Sequence, residues 1–243
     1  MITAFVCLGL AGFSGCWFLL KKASPALCVT VYRKIGRAPR NSRPASEWTS
    51  LKRLEKDFIF LTRRGFTTIS PKELGKTRAQ KPVLLAFAGG YRSFFTDVFP
   101  LLKKYQLKAC VFLVADTVGR YDRWQDPRQG PFQNILTAEE LKVLSASPLI
   151  SFGTLGLSEN GGPSFKITAG SSELAESISR LERLYKIPVT AIYTNEDLPA
   201  DPPLHPALPV LGSKTGVNAL NAHTNLRTLK PTFWGRLALW RRR

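Results

Sequence analysis

Imidazole is scarce in this chain: two histidines, His205 and His223, stand among 243 residues. They lie far apart, among proline and polar neighbours, and read as loop residues rather than ligands. A catalytic zinc site wants about three protein donors held together. Carboxylates are also few, with 17 Asp and Glu against 35 Lys and Arg, a formal charge of +18. That excess favours anionic partners: acidic lipid head groups, acidic glycans or phosphorylated sugar carriers. Nucleic acid would satisfy the charge, but no recognised module or basic-aromatic motif accompanies it. The four cysteines, Cys7, Cys16, Cys28 and Cys110, lack the paired spacing of a zinc knuckle or redox motif and read as buried thiols. No nucleophile elbow, P-loop or dinucleotide fingerprint occurs, and Gly89-Gly90 alone is too little for a phosphate cradle.

Against these absences stands an apolar beginning. Met1 to Leu20 carries no charged side chain, and Lys21-Lys22 follow at once. The length suits a spanning helix of about 20 residues. Nothing basic precedes the run, so residues 1–22 are expected to be an uncleaved membrane anchor rather than a cleaved signal. Phe13-Ser14-Gly15-Cys16 has a trace of a lipoprotein cleavage site, but Trp17 to Leu20 carries the apolar run past the cysteine. Lys21, Lys22, Arg33, Lys34, Arg37 and Arg40 all follow the anchor, which by the positive-inside rule leaves the domain in the cytoplasm. Residues 233–243 interleave Phe233, Trp234 and Trp240 with arginines. Such a tail suits a lipid interface, or packs as a last helix with a basic end.

Between these ends, strand and helix patterns alternate. Ala26–Tyr32, Pro82–Phe87, Lys108–Val114, Leu149–Phe152 and Val189–Tyr193 read as buried strands. Leu51, Leu54, Phe58 and Leu61 recur at helical spacing, and Gly65 supplies a stop. Ser70-Pro71-Lys72-Glu73 and Thr137-Ala138-Glu139-Glu140 are capping boxes that predict helix starts. Residues 92–105 carry an apolar helical face, with Pro100 expected to break or bend it. Leu174, Ile178, Leu181 and Tyr185 mark a further helix. Repeated strand–helix units imply a parallel sheet, whose functional residues belong at the C-terminal strand ends.

Those strand ends carry a resemblance. The stretch KPVLLAFAGGYRSFFTDVFPLLKKYQLKACVFLVADTVG, from Lys81 to Gly119, is similar to the core of the polysaccharide deacetylases, the NodB-homology domain of carbohydrate esterase family four. VYRKIG (Val31–Gly36), FLTRRGFTTISPKEL (Phe60–Leu74), LTAEELKVL (Leu136–Leu144) and ISFGTLGLSE (Ile150–Glu159) resemble further family blocks, in order. The likeness covers Ala26 to Leu229 and implies a distorted (β/α) barrel over residues 23–232. It also implies hydrolysis of acetyl groups on glycans with a bound divalent metal such as zinc. The family's first motif, Thr-Phe-Asp-Asp-Gly-Tyr, supplies a general base and then a metal ligand; Ala88 and Gly89 stand at those positions. Its second, His-Ser/Thr-x-x-His, supplies two metal ligands; Leu155 and Glu159 stand there. Tyr32-Arg33 replaces an early Tyr-His pair, and Tyr193-Thr194 a groove-shaping Tyr-Pro.

Of the three ligand positions only Glu159 can coordinate, and one carboxylate does not hold a metal. Without metal no bound water of lowered pKa is available. The expectation is therefore a deacetylase-like protein without catalytic residues, cofactor or metal. It would bind a glycan or lipid-linked sugar in the inherited groove, or else a protein partner in envelope glycan synthesis, at an anionic membrane surface. Tyr91, Trp124 and Tyr193 are the candidates for stacking on sugar, each also readable as packing. The alternative is an active glycan N- or O-deacetylase that has relocated its site.

Overall fold

The computed structural model describes residues 28–40, 47–124, 127–156, 171–194 and 208–212. The expected anchor over 1–22, Glu159, both histidines and the tail over 233–243 lie outside them. No helix among the described residues is long and apolar enough to cross a membrane.

Aliphatic and β-branched runs without charge make strands that are buried on both faces. Here they are β1 (Cys28–Tyr32), β5 (Pro82–Ala88), β6 (Ala109–Val114), β7 (Ile150–Gly156) and β8 (Val189–Thr194), with a short β9 (Val210–Gly212). They pair in the order β1-β5-β6-β7-β8-β9, and every pair is parallel. The two-residue β4 (Thr67–Thr68) joins the start of β5. A separate parallel pair, β2 (Lys34–Ile35) and β3 (Trp48–Thr49), lies between β1 and the first helix. Among the described residues the sheet runs from β1 at one end to β9 at the other, with no pairing between those two.

Side-chain alternation along each strand builds two apolar layers. Val83, Leu85 and Phe87 of β5 and Val111 and Leu113 of β6 face one side. Four helices cover it: α1 (Leu51–Arg63), α2 (Phe99–Tyr105), α3 (Ala138–Ser145) and α4 (Ser171–Tyr185). Leu54 and Phe58 of α1, Leu102 of α2, Leu141 of α3 and Leu181 of α4 enter this layer. The other side carries Leu84, Ala86 and Ala88, then Cys110, Phe112 and Val114, then Leu155, Ala191 and Tyr193, with Ile69 packed among them.

The helix ends follow local chemistry. Ser50 caps α1 by accepting from the Arg53 N–H, and Gly65, at φ +67°, turns the chain beyond its end. Thr137 and Glu140 form the predicted reciprocal box, with Thr137 N to Glu140 Oε2 at 3.0 Å and Glu140 N to Thr137 Oγ1 at 3.3 Å. The equivalent box at Ser70 opens only a three-residue 3-10 turn, Pro71–Glu73. Gly75 follows at φ +70°, and the chain is already turning back towards β5. The predicted helix over 92–105 is divided: Phe94–Val98 is a π-helical turn, and α2 begins at Phe99. Pro100 falls in the first turn of α2, where its missing N–H costs nothing. β7 runs four residues beyond the predicted Phe152, and this lengthening puts Leu155 on a strand.

One close approach governs the inner layer. Phe112 pairs in register with Ala88 on one side and Gly153 on the other. A Cβ on Gly153 would lie 2.3 Å from the Phe112 ring and 2.8 Å from the Ala191 carbonyl oxygen. Gly153→Ala is therefore expected to destabilise the fold by about 1–3 kcal/mol through overpacking. Urea denaturation at unchanged m-value would read this as a lowered midpoint. An unchanged midpoint would show that the ring can move aside at no cost.

Candidate functional site

A parallel sheet gathers functional residues where its strands end. At that edge stand Tyr32-Arg33 after β1, Ala88-Gly89 at the end of β5, Leu155-Gly156 at the end of β7 and Tyr193-Thr194 at the end of β8. The residues expected at degenerate catalytic positions are thus brought to one edge, apart from Glu159. What they form is a dry layer. Ala88 is 1%, Leu155 3% and Tyr193 1% exposed, and the Tyr193 ring lies 5.4 Å from that of Phe112. Burial pushes the Tyr193 phenol up to about 12, against the opposing charge of Arg33. Tyr193, expected to stack on sugar, is buried at 1% exposure and lies in this inner apolar layer. The Cys110 thiol in the same layer is likewise pushed up to about 12 by burial, which leaves no thiolate nucleophile at neutral pH.

Gly89 shows whether a metal ligand fits. Its N–H donates to the Phe112 carbonyl at 3.0 Å, and its φ is +105°. A Cβ there would lie 2.5 Å from Cε2 of Tyr91. Position 89 therefore has neither a donor side chain nor room and backbone for one, while Leu155 offers only hydrocarbon. Among the described residues no three of His, Cys, Asp and Glu stand together in a way that could hold a metal ion. The family's metal does not fit the donor set in this part of the chain.

Beside the dry layer lies a polar cluster that sequence reasoning missed. Lys34, on β2, is 3% exposed; its ammonium stands 3.3 Å from Asp122 Oδ2 and 3.8 Å from Glu47 Oε2. The ammonium also sits 5.5 Å from the centroid of the Tyr91 ring and 5.8 Å from that of Trp48. Tyr91 meets Trp124 edge to face at 6.2 Å. Asp122 is fully buried, and its Oδ1 accepts from the Gln133 N–H. Burial raises its carboxyl above the ordinary value, against the Gln133 N–H and the Lys34 charge. Arg33 pairs with Glu47 at 3.3 Å. Of the sugar-stacking candidates, Trp124 is half-buried and Tyr91 is 5% exposed, so Trp124 carries the accessible ring of the pair. No local signal in the sequence marks the cluster, since Lys34 follows Arg33 in a basic stretch.

Removing one partner of a buried pair strands the other charge. Lys34→Met is expected to cost about 3–5 kcal/mol, and the double variant Lys34→Met/Asp122→Leu to recover most of it. Chemical denaturation of the three proteins tests this. A double variant no more stable than the single one would show that Asp122 is tolerated without Lys34, held by the Gln133 N–H.

Comparison with known proteins agrees with this architecture. Residues 75–191 match the family model described as polysaccharide deacetylase. A curated relative from Bacillus subtilis (strain 168), named "Putative polysaccharide deacetylase YxkH", is 34% identical over 107 residues. The match covers 41% of this chain and 36% of that protein's length, so the chain matches only about a third of the relative. Among solved structures, IcaB from Ammonifex degensii shares the fold with a TM-score of 0.65 at 18% identity, over 89% of this chain and 97% of that one. The Streptococcus pyogenes deacetylase PplD, solved in complex with acetate, does so with a TM-score of 0.55 at 19% identity, over 72% and 77%. At such identities the solved structures speak for the fold alone, while the family model and the curated relative carry the likeness in sequence. Over residues 75–191 the chain is similar to the polysaccharide deacetylases, and its α/β fold with a parallel sheet is of their NodB-homology type.

Proposed function

We propose that this protein is a deacetylase-like glycan-binding protein that does not deacetylate. One observation carries the proposal: the position of the family's general base is Ala88, 1% exposed beneath Phe112, and the adjoining ligand position is Gly89, where no side chain fits. A hydrolase of this family needs a carboxylate and a metal-bound water at that point. An apolar, dehydrated surface supplies neither. Burial also keeps the Cys110 thiol and Tyr193 phenol protonated, so neither serves as a substitute nucleophile.

What the edge retains suits binding. Trp124 presents a ring at its rim, seated on Tyr91, with Lys34 beneath. Aromatic rings with a polar tip are rigid contact surfaces of low entropic cost. The ligand class is a glycan or lipid-linked sugar. The N-terminal apolar segment and the net charge of +18 favour work at an anionic membrane surface, on the cytoplasmic side and beside a partner in envelope glycan synthesis.

Calorimetric titration of the full chain with zinc and with cobalt is expected to give no saturable binding. One tightly bound metal per chain would overturn the proposal and restore an active deacetylase with ligands drawn from elsewhere. For binding, Trp124→Ala is expected to weaken affinity for a chito-oligosaccharide about tenfold, or ~1.4 kcal/mol, with the thermal midpoint unchanged. An unchanged dissociation constant would remove Trp124 from the site.

A further inference from the structure

The strands of the main sheet are all parallel, so their starts share one edge, opposite the edge that carries the site. The turn between β4 and β5, residues 70–81, crosses that edge. Lys81 leads directly into β5, and Glu73 pairs at 2.8 Å with Lys108, which leads into β6. Ser70 and Lys72 line a cavity with Ile150, which opens β7, and Pro188, which precedes β8. The turn reads SPKELGKTRAQK, and its acid is Glu73. Burial would raise the Glu73 carboxyl, but the Lys108 ammonium and the Ser70 N–H, at 2.7 Å, outweigh it and hold the group below its ordinary value. Lys72, Lys76 and Arg78 are exposed, and no ion pair among the described residues engages them. The same holds for Arg63, at the end of α1, and Lys186, just before β8. The other acid in a last helical turn here, Glu182 of α4, accepts from the Val189 N–H at 3.2 Å, and Glu55, further up α1, is taken by Lys104. A helix dipole accounts for Arg63, but Lys76 and Arg78 lie on no helix.

We propose that this strand-start edge, through Lys72, Lys76 and Arg78 with Arg63 and Lys186 beside them, rests on an anionic phospholipid bilayer. The inference rests on the membrane-surface part of the function proposed above and names the face that meets the lipid. Chain reach supports it. β1 enters the sheet at this edge, where Cys28 pairs with Val83. Lys22, which closes the apolar segment, precedes Cys28 closely enough that the chain between them spans at most about 20 Å. Wherever the uncharged run enters a bilayer, this edge therefore follows within that distance. Charge supports it as well. Basic segments beside a membrane insertion are drawn to acidic head groups, and the attraction fades within a Debye length. Lysine and arginine stems are long enough to set their charge among phosphates while the backbone stays outside. β5 is seven residues long, so at ~3.3 Å per residue the strand ends stand roughly 20 Å farther from the lipid. The rim that carries Trp124 then opens away from the bilayer.

The apolar segment would enter any bilayer, so the test reads which face lies on the lipid rather than association alone. The full chain is incorporated into phosphatidylglycerol vesicles and, separately, into phosphatidylcholine vesicles. Its lysines are acetylated with a neutral amine reagent, and the rate at each is read by peptide mass spectrometry. Lys72 and Lys76 are expected to react at least about tenfold more slowly in phosphatidylglycerol than in phosphatidylcholine, a difference that shrinks at high salt. Lys52 and Lys56 should react alike in both. They are exposed near the start of α1, whose far end lies at the strand starts, where Lys81 donates to the Arg64 carbonyl at 2.9 Å. In Lys72→Ala/Lys76→Ala/Arg78→Ala the slowing at Lys186 should be lost. It should persist in Arg37→Ala/Lys52→Ala/Arg120→Ala, which removes the same charge from exposed positions elsewhere. Equal slowing at all these lysines would mean attraction by the net charge of +18 and overturn the inference. So would slowing confined to Lys52 and Lys56, or equal loss at Lys186 in both triples. Slowing by an oligogalacturonate added in detergent, with none in vesicles, would assign the edge to a soluble polyanion and overturn it. No slowing together with Trp124-dependent glycan binding overturns this inference and leaves glycan binding standing. Slowing at Lys72 and Lys76 without glycan binding upholds the inference and overturns the glycan reading.

Discussion

The packing of the Phe112 ring between Ala88 and Gly153 is the constraint on which this structure turns. Three adjacent strands meet there as small, large, small, and the ring occupies space that longer neighbours would need. Interiors at crystal-like density have few alternative arrangements. The order of side-chain sizes therefore positions β5, β6 and β7 against one another and presses Phe112 toward Tyr193 on β8. In the same step it makes the strand ends dry. A carboxylate at position 88 would be buried beside an aromatic ring and an aliphatic layer, where its charged form is strongly disfavoured. Close packing and dry strand ends are here two descriptions of one arrangement.

Much of this was legible. Buried strands announced themselves as uncharged aliphatic runs, and the helical face of Leu54, Phe58 and Leu61 by its spacing. The motif positions pointed to the right edge of the sheet because family blocks fall at strand ends. The limits of legibility are equally local. Ser70 and Thr137 open the same capping box, yet one starts an eight-residue helix and the other a single 3-10 turn. The difference lies downstream, in Gly75 and in the salt link from Lys108 to Glu73, which belong to tertiary structure. Tyr193 could not be told from a ligand platform by type, since an aromatic residue serves core and groove alike. Its place beside Ala191 in the inner layer comes from the fold.

The pairing of Lys34 with Asp122 escapes the sequence for a related reason. The two are 88 residues apart, and only the fold brings them to 3.3 Å. No local pattern records such a pair.

That pair also explains how a dry edge can adjoin a polar loop. Two ions removed from water recover little net energy from each other, so the Lys34–Asp122 contact is a poor source of stability. It is an effective anchor, because displacing either partner leaves the other buried and uncompensated. Asp122 belongs to the loop between β6 and α3, and Lys34 to the short β2 strand, with Tyr91 and Trp48 around the ammonium. The contact thus fixes that loop beside the strand ends: the inner layer holds the sheet together, and the buried pair locates the loop against it.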